Sequence, residues 1–388
     1  MMYKRAIKEI ISHSAKSVLL LGPRQTGKST LLKSLKPDLE INLANESTFI
    51  EFSGDPTLLK KNLDAKEPKT IFIDEVQRLP SLLNTLQAII DENRNKYKFY
   101  LSGSSARKLR RGEANLLPGR ILYYEMTPLL LTEIPERTDI HEILSTGLLP
   151  GIYTEENKKD KQAILNPYAG TYLAEEIKAE ALTKNIEGFS RFLKVAATKN
   201  AEYTDFAKMG VQAQINQKTA SRFFDILEDT LIAHRLDAFA KSATRRFIRH
   251  PRYYFFDTGV LNALLGNFKI SSDRIGPLFE TLIFNQVTGL LKSMAISFRA
   301  SHYRTESGAE VDLILEVGDE IYAIEIKATK NIGKSDLRGL QNFEDFLGKK
   351  VKKYIVFLRE DSLKINDVMA LSPRPFLEIL KKQVKENF

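Results

Sequence analysis

A chain of 388 residues has room for two or three domains of roughly 150 residues. Its 43% hydrophobic and 28% charged residues exclude a disordered or fibrous protein, and the absence of cysteine excludes disulfides, thiolate metal sites and cysteine catalysis. The 58 lysines and arginines against 49 acidic residues leave a formal charge of +9, which suits a polyanionic partner; no apolar run reaches the roughly 18–20 residues of a membrane span, so a cytoplasmic protein without a membrane partner is expected.

The first third reads as strands at Ser17–Leu21, Glu40–Leu43, Thr70–Ile73, Phe99–Ser102 and Ile121–Glu125, alternating with helices at Lys28–Leu35, Leu82–Asn93 and Thr138–Leu144. That is the pattern of an α/β domain with a parallel sheet. Its first strand runs into Gly22, Pro23, Arg24, Gln25, Thr26, Gly27, Lys28 and Ser29, followed by Thr30, and a helix opens there. This is G-x-x-x-x-G-K-[ST] in its required setting, a loop for the phosphates of ATP. The glycines let successive backbone N–H groups turn inward, Lys28 supplies a positive charge for the β- and γ-phosphates, and the Ser29 hydroxyl is a ligand for Mg²⁺. The third strand ends in Asp74 and Glu75. Asp74 is placed to orient Mg²⁺ and Glu75 to polarise an attacking water, although the same pair also serves as a helix N-cap. Ser102, ending the fourth strand, is either a hydroxyl sensing the γ-phosphate and lytic water or part of a plain turn. Arg120 is either a finger stabilising transition-state charge, within its own subunit or across a homo-oligomer, or one half of a surface salt bridge.

After Pro128 the alternation stops, and a helical lid or linker is expected at Asn157–Lys184. From Phe189 to Asp257 the spacing gives three helices and a β-ribbon, with Ala220, Phe223, Phe224, Leu227 and Leu231 recurring at helical intervals. Between Lys241 and Arg252 there is no acidic residue. Helices followed by such a ribbon outline a winged helix, with Arg245, Arg246 and Arg249 on DNA phosphates; a solvated charged ribbon has the same sequence. Arg107, Lys108, Arg110 and Arg111 read as a surface helix, and Tyr253–Phe256 as core. The last part has a helix at Pro277–Leu291 and strands at Ser297–Tyr303, Glu310–Glu316, Glu320–Lys327 and Lys353–Leu358. Glu325 and Lys327 share one strand face, Asp312 lies on the preceding strand, and Glu280 sits on the helix. Asp312 and Glu325 are the candidate metal ligands and Lys327 the group that positions water at a phosphodiester; a cross-strand ion pair between Asp312 and Lys327 is the alternative.

The loop Gly-Pro-Arg-Gln-Thr-Gly-Lys-Ser, the strands ending Ile-Asp-Glu-Val-Gln and Leu-Ser-Gly-Ser-Ser, Pro-Gly-Arg before Met-Thr-Pro-Leu, and the later Tyr-Phe-Phe-Asp-Thr-Gly, Leu-Phe-Glu-Thr-Leu, Glu-Val-Asp-Leu and Glu-Ile-Lys resemble the prokaryotic AAA-family ATP-binding proteins with an uncharacterised C-terminal domain. The resemblance spans nearly the whole chain. It implies an AAA+ P-loop domain (1–135), a helical linker (136–188), a winged helix (189–257) and a restriction-endonuclease-like α/β domain (258–388). The activity expected is an Mg-ATP-dependent ATPase acting on or with DNA. The alternatives are a regulatory switch that binds nucleic acid or protein without cutting, and a metal-dependent nuclease with ATP as an allosteric ligand.

Overall fold

The computed structural model describes residues 3–93, 96–104, 119–136, 138–168, 170, 185–239 and 250–386. Contacts divide the chain into two units, the first built mainly of the residues up to Thr127 and the second mainly of those from Pro128 onward.

In the first unit the order is α1 (Ile7–His13), β1 (Ser17–Leu21), α2 (Lys28–Lys33), β2 (Leu39–Asn42), α3 (Glu46–Gly54), α4 (Leu58–Lys66), β3 (Thr70–Asp74), α5 (Leu82–Glu92), β4 (Lys98–Gly103) and β5 (Ile121–Glu125). The five strands form one parallel sheet in the order β2-β3-β4-β1-β5. Such strands are nearly continuous apolar runs because both faces are covered. Val18, Leu20, Phe72 and Tyr100 pack on Ile7 and Ile11 of α1 and Leu31 and Leu32 of α2. The alternate residues Leu19, Leu21, Ile71, Ile73, Phe99 and Leu101 pack on the other side against Phe52, Leu59, Leu63, Leu83 and Leu86. Helices α1, α3 and α4 are additions to the sequence reading. Phe52 is the buried residue of α3, and Leu59 and Leu63 those of α4, so their apolar periodicity is short and weak.

The second unit continues with α6 (Ile140–Thr146), α7 (Pro150–Tyr153), α8 (Lys158–Pro167), α9 (Ile186–Thr198), α10 (Phe206–Gln212), α11 (Gln217–Asp229), β6 (Ala233–Ala238), β7 (Arg252–Phe255), α12 (Thr258–Leu264), α13 (Ile275–Ser293), β8 (Arg299–Arg304), β9 (Glu310–Val317), β10 (Glu320–Lys327), α14 (Arg338–Leu347), β11 (Lys352–Phe357), β12 (Leu363–Ile365), β13 (Val368–Leu371) and α15 (Pro373–Glu386). The three helices before β6 enclose Phe189, Phe192, Phe223 and Phe224, whose ring centroids lie 4.9–6.0 Å apart where they meet. β6 and β7 pair antiparallel as the expected ribbon. At its far end β6 also pairs parallel with β8, through Asp237↔Ser301 and Ala238↔His302. The ribbon is therefore one edge of an eight-stranded mixed sheet, β12-β13-β11-β10-β9-β8-β6-β7. Helix α14 covers this sheet with Leu340 and Phe343 against Ile314, Ile321, Ala323 and Ile355. Tyr253 to Phe256 are buried, as core. Arg245, Arg246 and Arg249 lie outside the described residues, as do Arg107, Lys108, Arg110 and Arg111 and the linker stretch from 171 to 184.

Candidate functional site

Because the first sheet is parallel, the C-terminal ends of β1, β3 and β4 share one edge. The strand order puts β4 between β1 and β3, so Ser102 sits beside both the phosphate loop and Asp74. The Gly22 N–H donates to the Gly103 carbonyl at 3.3 Å, which pins the start of the loop to β4. A Cβ on Gly22 would lie 2.3 Å from the Met126 carbonyl oxygen, so only glycine fits there. The loop turns through Gln25 and Gly27, both with positive φ (61° and 94°), and α2 opens at Lys28. Thr26 Oγ1 donates to the Pro23 carbonyl at 2.8 Å, closing the loop on itself. Lys28 is buried, and its ammonium donates to the carbonyls of Gly22 (2.8 Å) and Pro23 (2.9 Å), which hold the charge at the loop. Arg24, Gln25 and Thr30 are exposed.

Across from the loop, Ser29 Oγ donates to Asp74 Oδ1 at 2.8 Å, and Ser102 Oγ donates to the same oxygen. A hydroxyl and a carboxylate brought together at a phosphate loop form a hard-oxygen donor set that fits Mg²⁺. Ser102 also accepts from the Glu75 N–H at 3.2 Å, so one hydroxyl fixes both acidic positions. Glu75 has a left-handed backbone (φ 58°), and its carboxylate accepts from the Gln77 amide, which donates a second bond to Ser104 Oγ at 3.0 Å. Arg120 Nε and Nη2 meet Asp91 at 2.6 and 2.8 Å.

Two groups of this site escaped the sequence reading. Gln77 lies two residues after Glu75, and that nearness to the acidic pair was its only signal. Arg5, buried ahead of α1, donates to the Thr26 carbonyl (2.9 Å) and the Thr127 carbonyl (2.6 Å). It ties the loop's turn to the chain leaving β5. Nothing local marks a lysine-arginine pair near a chain start for that task.

Two of the C-terminal candidates, Glu280 and Asp312, meet around a residue assigned to the exposed basic ribbon. Arg252 is buried instead, and this corrects the ribbon's extent. Its Nη1 lies 2.7 Å from Glu280 Oε1 and 3.6 Å from Asp312 Oδ1, and its Nη2 pairs with Glu310. The Tyr254 hydroxyl donates to Glu280 at 2.5 Å and that of Tyr203 to Glu310 at 2.9 Å, while the Arg252 guanidinium lies 4.4 Å from the Tyr203 ring centre. Asp312 accepts from the Ile326 N–H across the β9–β10 pair at 2.8 Å. Lys327 pairs with Glu325 on its own strand at 2.6 Å, in place of the cross-strand pair with Asp312. The second carboxylate oxygen of Glu325 is buried with no hydrogen-bond partner among the described residues.

Burial dominates the electrostatics of this cluster. It lifts the Glu280 carboxyl to about 7, helped by Asp312 and opposed by Arg252 and Tyr254. Asp312 is raised by burial against the pull of Arg252 and Lys327, and Glu325 is raised well above the carboxylate range by burial and then by Asp312. Burial alone would lower Lys327, but Glu325 beside it holds the ammonium above its ordinary value. Among the described residues no group of three or more histidine, aspartate or glutamate side chains is arranged to hold a metal ion. The cation between Glu280 and Asp312 is the Arg252 guanidinium.

Residues 14–135 match the model of an AAA domain, residues 137–271 a domain of unknown function (DUF8612) and residues 275–377 a second one (DUF4143). Uncharacterized proteins of Mycobacterium tuberculosis and Mycobacterium bovis are each 28% identical over 324 residues, covering 82% of this chain and 71% of their own. Among solved structures, the Pif1 helicase of Candida albicans is 18% identical, over 44% of this chain and 48% of the helicase chain, with a TM-score of 0.26. A DNA polymerase III gamma subunit-related protein of Thermotoga maritima is 12% identical over 59% of this chain and 98% of its own, with a TM-score of 0.25. Scores that low do not establish a common architecture. The AAA match and the parallel sheet support a nucleotide-binding ATPase of the AAA family. Among the described residues no helix is long and apolar enough to cross a membrane.

Proposed function

We propose that this chain is an Mg-ATP-binding ATPase whose P-loop domain is coupled to a winged-helix segment and a restriction-endonuclease-like end, and that it acts on or with DNA. The observation that carries the nucleotide part is the junction of Ser29, Asp74 and Ser102 beside Lys28. Mg²⁺ held there would neutralise charge on the β- and γ-phosphates. The chain's own groups do the rest: the loop N–H groups and Lys28 hold the phosphates, Ser102 keeps Asp74 and the Glu75 backbone in register, and Glu75 polarises water. The Gln77 amide must release the Glu75 carboxylate for that task. Titrating a fluorescent ATP analogue and following phosphate release test the reading. Lys28→Ala should abolish binding, and Glu75→Gln should bind normally and release phosphate at least a hundredfold more slowly. Tight binding by Lys28→Ala would overturn it.

For the C-terminal end, Arg252 favours the switch reading over the nuclease. A nuclease needs its carboxylates open to a cation, whereas Glu280, Glu310 and Asp312 here surround a buried guanidinium. A DNA-stimulated ATPase rate with no nicking in Mg²⁺ or Mn²⁺ supports the switch; nicking lost in Asp312→Ala supports the nuclease.

A further inference from the structure

The helix pair α10–α11 presents an outer surface that nothing above accounts for. The two helices are joined by Ala213–Asn216, and the turn is built rather than loose. Gln214 takes a left-handed backbone (φ 56°), and a Cβ on Gly210 would lie 2.9 Å from the Ile215 carbonyl oxygen, so the chain folds tightly back on α10. Asp205 caps α10 by accepting from the Ala207 and Lys208 N–H groups, and Asn216 Oδ1 accepts from the Thr219 N–H at the start of α11. The inner faces are fixed by Met209, Ala213, Ala220, Phe223 and Phe224, all buried.

The outer faces carry amides and cations. Gln212, Gln214, Gln217, Lys218 and Arg222 are exposed, and Val211 is 78% exposed, far more than an apolar side chain at a packed surface. Lys218 and Arg222 are one helical turn apart on the same face, with Gln217 and Ser221 alongside. From Phe206 to Phe224 there is no acidic residue; the acids of the pair stand at its ends, with Asp205 3.7 Å from Lys208 and Asp225, Glu228 and Asp229 in the C-terminal half of α11. Arg191 of α9 donates to the Ala213 carbonyl at 3.1 Å, setting another guanidinium beside the turn.

We infer that α10–α11 is a surface for double-stranded DNA, with the N-terminal half of α11 entering the major groove. The inference rests on the DNA reading above and assigns the contact to a different element from the ribbon of Arg245, Arg246 and Arg249. A major groove about 12 Å wide admits one helix, and in a helix-turn-helix the N-terminal residues of the second helix meet base edges while the first crosses the backbone. Arg222 suits guanine, donating to N7 and O6, Gln217 suits adenine, donating to N7 and accepting from N6, Val211 suits a thymine methyl, and Lys208 and Lys218 the phosphates.

The test is fluorescence anisotropy of the full chain with a mixed-sequence 30-base-pair duplex, in KCl from about 50 to 200 mM. Lys218→Glu with Arg222→Glu should weaken binding at least tenfold and lower the salt slope by about 1, because Lys218 is the phosphate contact of the pair and each such contact contributes about 0.9. Lys382→Glu with Lys385→Glu on α15, an equal change of charge on exposed residues, should alter binding less than twofold. Gln217→Ala, which leaves the charge intact, should change the preference between A·T-rich and G·C-rich duplexes. Binding that survives the α11 pair, or falls equally with the α15 pair, overturns the inference while the DNA reading stands. Loss only in Arg245→Glu with Arg246→Glu does the same. A wild-type chain that binds no duplex at about 50 mM KCl overturns both.

Discussion

Replacing Arg252 by Met removes the only guanidinium seen to bridge Glu280, Glu310 and Asp312 among the described residues while keeping most of the side-chain volume. Glu280 and Asp312, both largely covered, then lack that cation, while Glu310 keeps Arg304 at 3.5 Å. Removing one partner of a buried ion pair costs about 3–5 kcal/mol, and a unit of roughly 150–250 residues loses about 2–4 °C per kcal/mol, so the melting temperature should fall by about 6–20 °C near pH 8. The deficit must also depend on pH. In the wild type, burial already lifts Glu280 to about 7 and raises Asp312 despite Arg252. Without Arg252 their pKa values rise further, so the folded variant binds more protons than the folded wild type through the window around and below pH 7. Its stability therefore recovers relative to wild type as pH falls from 8 to 5. Scanning calorimetry of both proteins at pH 8, 6.5 and 5 reads this directly. A deficit below about 1 kcal/mol at pH 8, or one equal at all three values, would show that Arg252 does not neutralise this cluster.

Arg5→Met should weaken ATP-analogue binding about tenfold or more, since it unpairs the Thr26 and Thr127 carbonyls, while Arg5→Lys restores part of it; equal affinity in all three proteins by titration would refute a role in holding the loop. Asp257, which caps α12 and accepts from the Leu148 N–H, has its carboxyl lifted to about 6 by burial against the pull of three backbone N–H groups. A folded pKa above the unfolded value gives stability that is fully present below about 4 and lost as pH rises through 6, so Asp257→Asn should flatten the chain's stability profile between those values in urea melts. Phe223→Ala empties the aromatic cluster of α9 and α11 and should cost about 3–5 kcal/mol in the same melts; a cost under 1 kcal/mol would mean that the cluster does not hold these helices.

What the sequence settled is confined to residues near one another along the chain or placed by a repeating pattern. The phosphate loop, Asp74, Glu75 and Ser102 were legible because each ends an apolar strand, and parallel strands deliver their ends to one edge. The strands of the first sheet and β8–β11 of the second followed from apolar runs, whereas the short β12 and β13 were not read as strands and α3 and α4 bury too little to show a period. Only the tertiary structure decided the partners. Arg120 meets Asp91, Arg5 reaches the loop carbonyl of Thr26, and Arg252 leaves a run of basic residues to fill the space between Glu280 and Asp312. Each charge is fixed by the element that folding sets against it, and burial then determines whether it faces solvent, a ligand or a counter-charge. That is also why the ribbon β6–β7 reads alone as a wing but folds as the edge of the larger sheet: its pairing with β8 joins residues more than sixty positions apart, roughly, with no local mark in either strand.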